Sequence, residues 1–318
     1  MNTKMILDID TGIDDAMAIA YAVSDPQIDL IGVIGSYGNI KAKLAARNSI
    51  QILDLLEENN VPVFIGTENP IDHTYKREPI NSQIHGENGI GDVELPLPVR
   101  EVREENAVDF ILDSAKKYKD QLTIVATGPM TNLALAIKKD IKTMQEIGNI
   151  TIMGGAITVP GNVTPVSEAN INQDPKSADI LFKSDLNITM VGLDVTLRTL
   201  LTKKETSQWR ELGEAGTKFA DIVDYYINCY DDIYPELGGC SLHDPLAVGV
   251  AVNPNFVSMI DLNVMVTTEN DAFYGRTIGD KARLNDSTTN VKVAVNVDKD
   301  YYLETFMNNF NQLFQKVK

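Results

Sequence analysis

Four aspartates, Asp8, Asp10, Asp14 and Asp15, fall within the first fifteen residues of the 318-residue chain. Apolar Met5, Ile6 and Leu7 lead into them, Thr11-Gly12 makes a break, and a helix-like stretch follows. Carboxylates gathered at a strand-to-helix turn repel one another unless a cation sits among them. A hard ion with oxygen ligands, Ca²⁺ or Mg²⁺, is the simplest partner. Side chains alternate along a strand, so Asp8 and Asp10 share a face. Asp10 then stands at the carboxyl tip, where open α/β sheets place ligands. Asp14 and Asp15 occupy the first helical turn, where the helix dipole favours acids. Being consecutive, they project about 100° apart, so one can hold a metal while the other reaches elsewhere. The plainer alternative is that this pair only caps the helix.

Further polar segments fall where a sheet protein should turn. Thr127-Gly128-Pro129-Met130-Thr131-Asn132 follows an apolar run. It could present a freed carbonyl to a hard cation, or simply cap a helix with Thr131. Ser36-Tyr37-Gly38-Asn39 follows another such run and could present an amide. Met153-Gly154-Gly155-Ala156, Pro160-Gly161-Asn162 and Glu168-Ala169-Asn170 offer donors and acceptors suited to sugar hydroxyls. An ordinary surface loop is the competing reading. His85 opens a glycine-rich stretch able to fold over a site. His243-Asp244 precedes an apolar helix and reads either as a plain cap or as an acid beside a metal ligand.

These groups need rigid elements to position them. Apolar, β-branched runs at 4–9, 28–34, 61–65, 122–126, 150–153 and 188–193 are interleaved with helical patterns at 16–22, 42–56, 107–118, 131–137 and 175–182. That alternation predicts an α/β, Rossmann-like fold with an open, mostly parallel central sheet flanked by helices. Asp174-Pro175 reads as an N-cap followed by proline at the first helical position. Beyond 202 the chain turns helix-rich to about 234, and a helix follows at 245–252. Strand signals at 257–266, 273–278 and 291–295 precede a final amphipathic helix at 301–317. No linker or repeat interrupts the pattern, so residues 1–318 are expected to form a single domain.

Composition narrows the partners. A hydrophobic content of 43% supplies a core, while a net charge of −17 argues against nucleic acid and disfavours anionic membranes. No apolar run reaches membrane-spanning length, and the first residues enter a strand without a signal peptide. Cys229 and Cys240 read as reduced thiols rather than a disulfide framework. A cytoplasmic protein acting on a small molecule is the expectation.

Taken in order, several segments resemble the inosine-uridine preferring nucleoside hydrolase family. They are Asp8-Ile9-Asp10-Thr11-Gly12-Ile13-Asp14-Asp15, the turn at 36–39, His85-Gly86, the 127–132 segment and Met153-Gly154-Gly155. Asn162 with Glu168-Ala169-Asn170, His243-Asp244-Pro245 and Tyr274-Gly275-Arg276-Thr277 complete the set. The resemblance implies a Ca²⁺-dependent enzyme of nucleoside salvage that hydrolyses the N-glycosidic bond of ribonucleosides. By match to the motif, Asp10, Asp15, Asp244 and the carbonyl of Thr127 would hold the ion. Asp14, Asn39, Asn162, Glu168 and Asn170 would bind ribose, and His85 and Met153 count among the substrate contacts. Asp10 would take a proton from water as general base, and His243 would be the acid for the leaving base. Tyr225, Tyr226, Tyr230 and Tyr234 could stack on the base or help protonate it, or could pack with polar tips outward. The family also suggests a homodimer or homotetramer. One departure is Thr11, where many members carry proline; a turn tolerates either.

Three other readings compete. A haloacid-dehalogenase-like phosphatase would use Asp8 as nucleophile and Asp10 as acid/base, but Gly12 stands where threonine or valine belongs. An EF-hand calcium buffer fails because Ile13 and Ile19 occupy the glycine and glutamate positions of the loop. A catalytically inactive ribose- or nucleoside-binding protein fits the motifs, and turnover would separate it from an enzyme.

Overall fold

The computed structural model describes residues 2–72 and 82–317. Its first six strands are β1 (Thr3–Ile9), β2 (Ile28–Gly35), β3 (Val63–Ile65), β4 (Leu122–Ala126), β5 (Asn149–Met153) and β6 (Ile188–Val191). Two short strands follow, β7 (Leu200–Leu201) and β8 (Cys240–Ser241), then β9 (Val257–Leu262), β10 (Val264–Val266), β11 (Thr277–Gly279) and β12 (Val291–Val297). The helices are α1 (Ile13–Ser24), α2 (Ala42–Leu55), α3 (Ser82–His85), α4 (Ala107–Tyr118), α5 (Thr131–Met144) and α6 (Ala169–Gln173). They continue as α7 (Pro175–Phe182), α8 (Leu193–Thr196), α9 (Lys203–Trp209), α10 (Glu214–Ile233), α11 (His243–Val252) and α12 (Lys299–Lys316).

Eight strands form one open sheet in the order β3-β2-β1-β4-β5-β6-β12-β9. Every neighbouring pair is parallel except β12 with β9. The apolar runs are long because helices cover both faces. Along β1, Met5, Leu7 and Ile9 join a core with α1, α11 and α12, whereas Ile6 joins a second core with α4, α5 and α7. Asp8 and Asp10 therefore share the face of Ile6. The chain builds outward from β1 through β2 to β3, then returns to place β4 on the other side of β1. That reversal opens a crevice beyond the carboxyl ends of β1 and β4. Asp8 pairs with Ile34 of β2 and Ala126 of β4, which brings Asp10, Ser36 and Thr127 to one rim.

Some boundaries differ from the sequence expectation for identifiable reasons. The run at 257–266 breaks at Asn263, whose buried amide donates to the carbonyls of Arg283 (3.2 Å) and Thr288 (3.4 Å). Its first half pairs with β12 and its second with β11. The strand expected at 273–278 begins only at Thr277. Helix α5 runs past 137 to Met144 through a kink at Asp140, whose carboxylate re-caps the chain by accepting from Thr143 N at 3.1 Å. Among the described residues no helix is long and apolar enough to cross a membrane.

Candidate active site

Two helix N-termini meet over the crevice, and each carries acids in its first turn: Asp14 and Asp15 on α1, Asp244 on α11. One carboxylate oxygen from each of the three lies within 4.8 Å of the others, and all three side chains are buried. Asp15 is fixed from two sides, accepting from Gly12 N at 2.8 Å and from the Thr127 hydroxyl at 2.6 Å. Asp10 lies against it and accepts from the backbone and side-chain amides of Asn39. A side chain on Gly38 would collide with the Asp10 carboxylate, so only glycine allows this turn to close on it.

The charge on these groups is unbalanced. Burial and mutual repulsion hold Asp10 and Asp244 well above the ordinary carboxylate range, and burial lifts Asp14 and Asp15 to about 6. Among the described residues no lysine or arginine pairs with them. His85 Nδ1 stands 4.0 Å from Asp14 Oδ1, but burial lowers this histidine to about 4. Asp14 Oδ1 is buried without a hydrogen-bond partner. An all-oxygen donor set with an orphaned carboxylate oxygen and no counter-charge fits a hard divalent cation.

Above this floor is a cavity of about 110 Å³. Asp14, Asn39, His85, Thr127, Met153, Asn162, Glu168, Asn170, His243 and Asp244 all line it. Asp10 and Asp15 are fully buried and lie outside the lining, and the cluster with oxygens within 4.8 Å of one another contains Asp14 rather than Asp10. Asn170 Nδ2 donates to the carbonyls of Thr127 (2.6 Å) and Met153 (3.1 Å), joining the ends of β4 and β5. A carbonyl has two lone pairs, so that bond leaves Thr127 an acceptor site. Glu168 caps α6 through Asn170 N (2.8 Å) and Ile171 N (3.1 Å), and also accepts from Gly155 N (2.9 Å). Asn162 is held through its Oδ1 by Ala169 N at 3.0 Å.

The opposite wall is aromatic. Tyr226, Tyr230 and Tyr234 follow one another at four-residue spacing on α10 and its exit, and all three line the cavity. Tyr225 lies on another side of the helix, against Gly91. The Tyr230 hydroxyl is 2.7 Å from His243 Nε2 and 3.4 Å from the Tyr226 hydroxyl. His243 Nδ1 meets the Thr196 hydroxyl at 2.8 Å, and burial lowers this histidine to about 4. His85 Nδ1 accepts from Ile13 N at 3.2 Å, which leaves its proton on Nε2, and its ring stacks on Tyr226. Val163, Ile233 and Tyr234 form an apolar mouth, at 56%, 45% and 37% exposure. Thr196 and Leu197 carry no signal in the sequence, since only the folded topology brings them here.

Asp8 does not line the cavity; its carboxylate is turned to Ser36 and Asn132. That removes the nucleophile a phosphatase reading requires. A larger groove of about 650 Å³ lies elsewhere, between Gln51, Leu97 and Lys218, and contains none of these acids.

A doubly wound sheet with a buried acidic cluster at its switch point, beneath an amide-lined cavity, places the chain among the glycosidic hydrolases that act on nucleosides. The inosine-uridine preferring nucleoside hydrolase family matches residues 5–304, and the chain belongs to it. Uridine nucleosidase 1 of Arabidopsis thaliana is 35% identical over 269 residues, covering 84% of this chain and 79% of that protein. The pyrimidine-specific ribonucleoside hydrolase RihA of Escherichia coli O9:H4 (strain HS) is 32% identical over 305 residues, covering 96% and 97%. Among solved structures, a purine-preferring ribonucleoside hydrolase from Gardnerella vaginalis superposes with a TM-score of 0.96 at 50% identity, covering 98% of this chain and 99% of that one.

Proposed function

We propose that this protein is a Ca²⁺-dependent ribonucleoside hydrolase of nucleoside salvage, releasing ribose and a free base. The observation that carries the proposal is the convergence of Asp14, Asp15 and Asp244 beneath a cavity walled by amides on one side and by tyrosines and histidines on the other. Asp10, Asp15, Asp244 and the Thr127 carbonyl would hold the ion, with Asp14 close enough to share it. When bound, calcium would neutralise the acids, engage ribose hydroxyls and acidify a water.

The remaining chemistry belongs to side chains. Cleavage builds positive charge on the anomeric carbon and ring oxygen, and the carboxylates of Asp14 and Glu168 face the space where that charge develops. Asp10, held in place by Asn39, would accept the proton of the attacking water. Asn39, Asn162, Glu168 and Asn170 would bind ribose. His85 and Met153 would complete the substrate contacts. The leaving base needs a proton, and His243, having taken one from solvent, would pass it from Nε2 through the Tyr230 hydroxyl 2.7 Å away. His243 is neutral at rest, so it acts by relaying a proton rather than by storing a charge.

The named relatives differ in the base they act on, so the proposal is for ribonucleosides as a class. A cytoplasmic setting, one domain over the whole chain and a homo-oligomer form part of the same proposal. The two free cysteines and the net charge of −17 suit the first. The test is an assay of reducing sugar released from uridine, cytidine, inosine and adenosine and their 2′-deoxy forms, with calcium and after chelation. Turnover of ribonucleosides far above deoxynucleosides, lost on chelation, is expected. Tight binding without release of sugar would instead favour a binding protein.

A further inference from the structure

Behind the acidic floor lies a buried knot of three side chains. Asp8 Oδ1 accepts from Ser36 Oγ at 2.5 Å and from Asn132 Nδ2 at 2.9 Å, and Asn132 Nδ2 also lies 2.7 Å from Ser36 Oγ. All three residues are buried and none lines the cavity. One comes from β1, one follows β2 and one lies in the first turn of α5, just past β4. Asn132 Oδ1 reaches a fourth strand end, accepting from Thr67 N beyond β3 at 3.0 Å. A Cβ on Gly66 would fall 2.6 Å from Asn132 Nδ2 and 2.7 Å from Ser36 Oγ, so bare backbone closes over the knot.

The segments from β1, β2 and β4 tied here each carry part of the site. Asp10 stands two residues beyond Asp8. Asn39, three beyond Ser36, holds the Asp10 carboxylate, and Thr127, in the turn before Asn132, holds Asp15. We infer that Asp8 is a positioning residue: with Ser36 and Asn132 it locks the ends of β1, β2 and β4 at the relative heights that converge Asp10, Asn39 and Thr127 on the cation site. This rests on the cation reading proposed above. Shape rather than charge is the working element, since both bonds use Oδ1 while Oδ2 has no hydrogen-bond partner. An asparagine in place of Asp8 keeps that acceptor. Groups that orient metal ligands from outside commonly change affinity by about 10–100-fold.

The test is calorimetric titration of Ca²⁺ into chelator-stripped protein, paired with thermal melts of the stripped forms. Asp8→Ala and Asn132→Ala are expected to weaken calcium binding by about tenfold or more, while Asp8→Asn retains most of the affinity. Ser36→Ala removes the hydroxyl's bonds to Asp8 and Asn132 but leaves the Asp8–Asn132 pair, so it should weaken binding less than Asp8→Ala with a smaller change in the stripped melt; it decides the matter if Asp8→Ala does not fold. An Asp8→Asn loss as large as that of Asp8→Ala would overturn positioning in favour of charge. Unchanged affinity in Asp8→Ala, or a lower melt with affinity intact, would overturn any role toward the ion. Asp10→Ala is the marker for the underlying reading: if the unaltered protein binds no calcium and Asp10→Ala matches it, the cation reading fails and this inference with it.

Discussion

On the floor of the cavity Asp10, Asp14, Asp15 and Asp244 are dry, and dryness pushes their protons on; along the wall His85 and His243 are equally dry, and theirs are pushed off. One physical cause thus acts in opposite senses, because burial always disfavours the charged form. The wall reaches a comfortable state that way. Its rings are neutral, and both nitrogens of His243 have hydroxyl partners. The floor does not, since repulsion among its acids remains and Asp14 Oδ1 lacks a partner. Ion dependence should therefore reside in the floor and leaving-group chemistry in the wall.

The sharpest way to break that division is Asp10→Asn. Turnover should fall by about 10²–10⁴-fold with the circular dichroism spectrum unchanged, and a retained rate would take the base away from the floor. His243→Ala should cost about 10²-fold on inosine and uridine, yet little on p-nitrophenyl riboside, whose leaving group needs no proton. Equal losses on both substrates would move the wall out of acid chemistry. Chelation should lower stability by about 2.7 kcal/mol relative to calcium at a hundred times its Kd, read as a melting point lower by several degrees.

A smaller effect separates the two regions by pH. The floor acids titrate higher in the folded protein than in the unfolded chain, so their contribution is complete in acid and is lost as pH rises through about 6. His85 and His243 titrate near 4 when folded and oppose this trend only up to their unfolded value of about 6.5. Between about pH 5 and 7 the stripped protein should therefore lose the floor's contribution, offset in part by the histidines, while the calcium-loaded form, whose acids stay ionised, gains from the histidines alone. Melts in chelator and in calcium across that window should diverge; parallel curves would contradict it. Smallest of all, Tyr234→Ala at the exposed mouth should raise KM severalfold, in keeping with an aromatic contact of about 1 kcal/mol, and leave kcat nearly unchanged.

Much of this could be read before folding. The alternation of apolar runs and helical patterns carried the parallel sheet, and strand parity put Asp8 and Asp10 on one face. Chemistry-bearing segments scattered from Asn39 to Asp244 meet in one cavity because each follows a strand end or opens a helix. What escaped reading depends on neighbours distant in sequence. Thr196 matters only because α8 packs beside α11, and nothing in a lone threonine announces it. The nearer place of Asp14 in the oxygen cluster depends on the angle at which α1 meets α11, which spacing does not encode. The break at Asn263 was hidden inside a continuous strand-like run because its cause lies some twenty residues away, at Arg283 and Thr288.

Asp15 and Asp244 belong to the first and last quarters of the polypeptide. The acids at the start of α1 cannot complete their cluster until α11 has been made. Joining them spans a very long loop, a slow kind of contact to form. Any product truncated before α11 therefore lacks Asp244, one of the three carboxylates that meet at the proposed cation site.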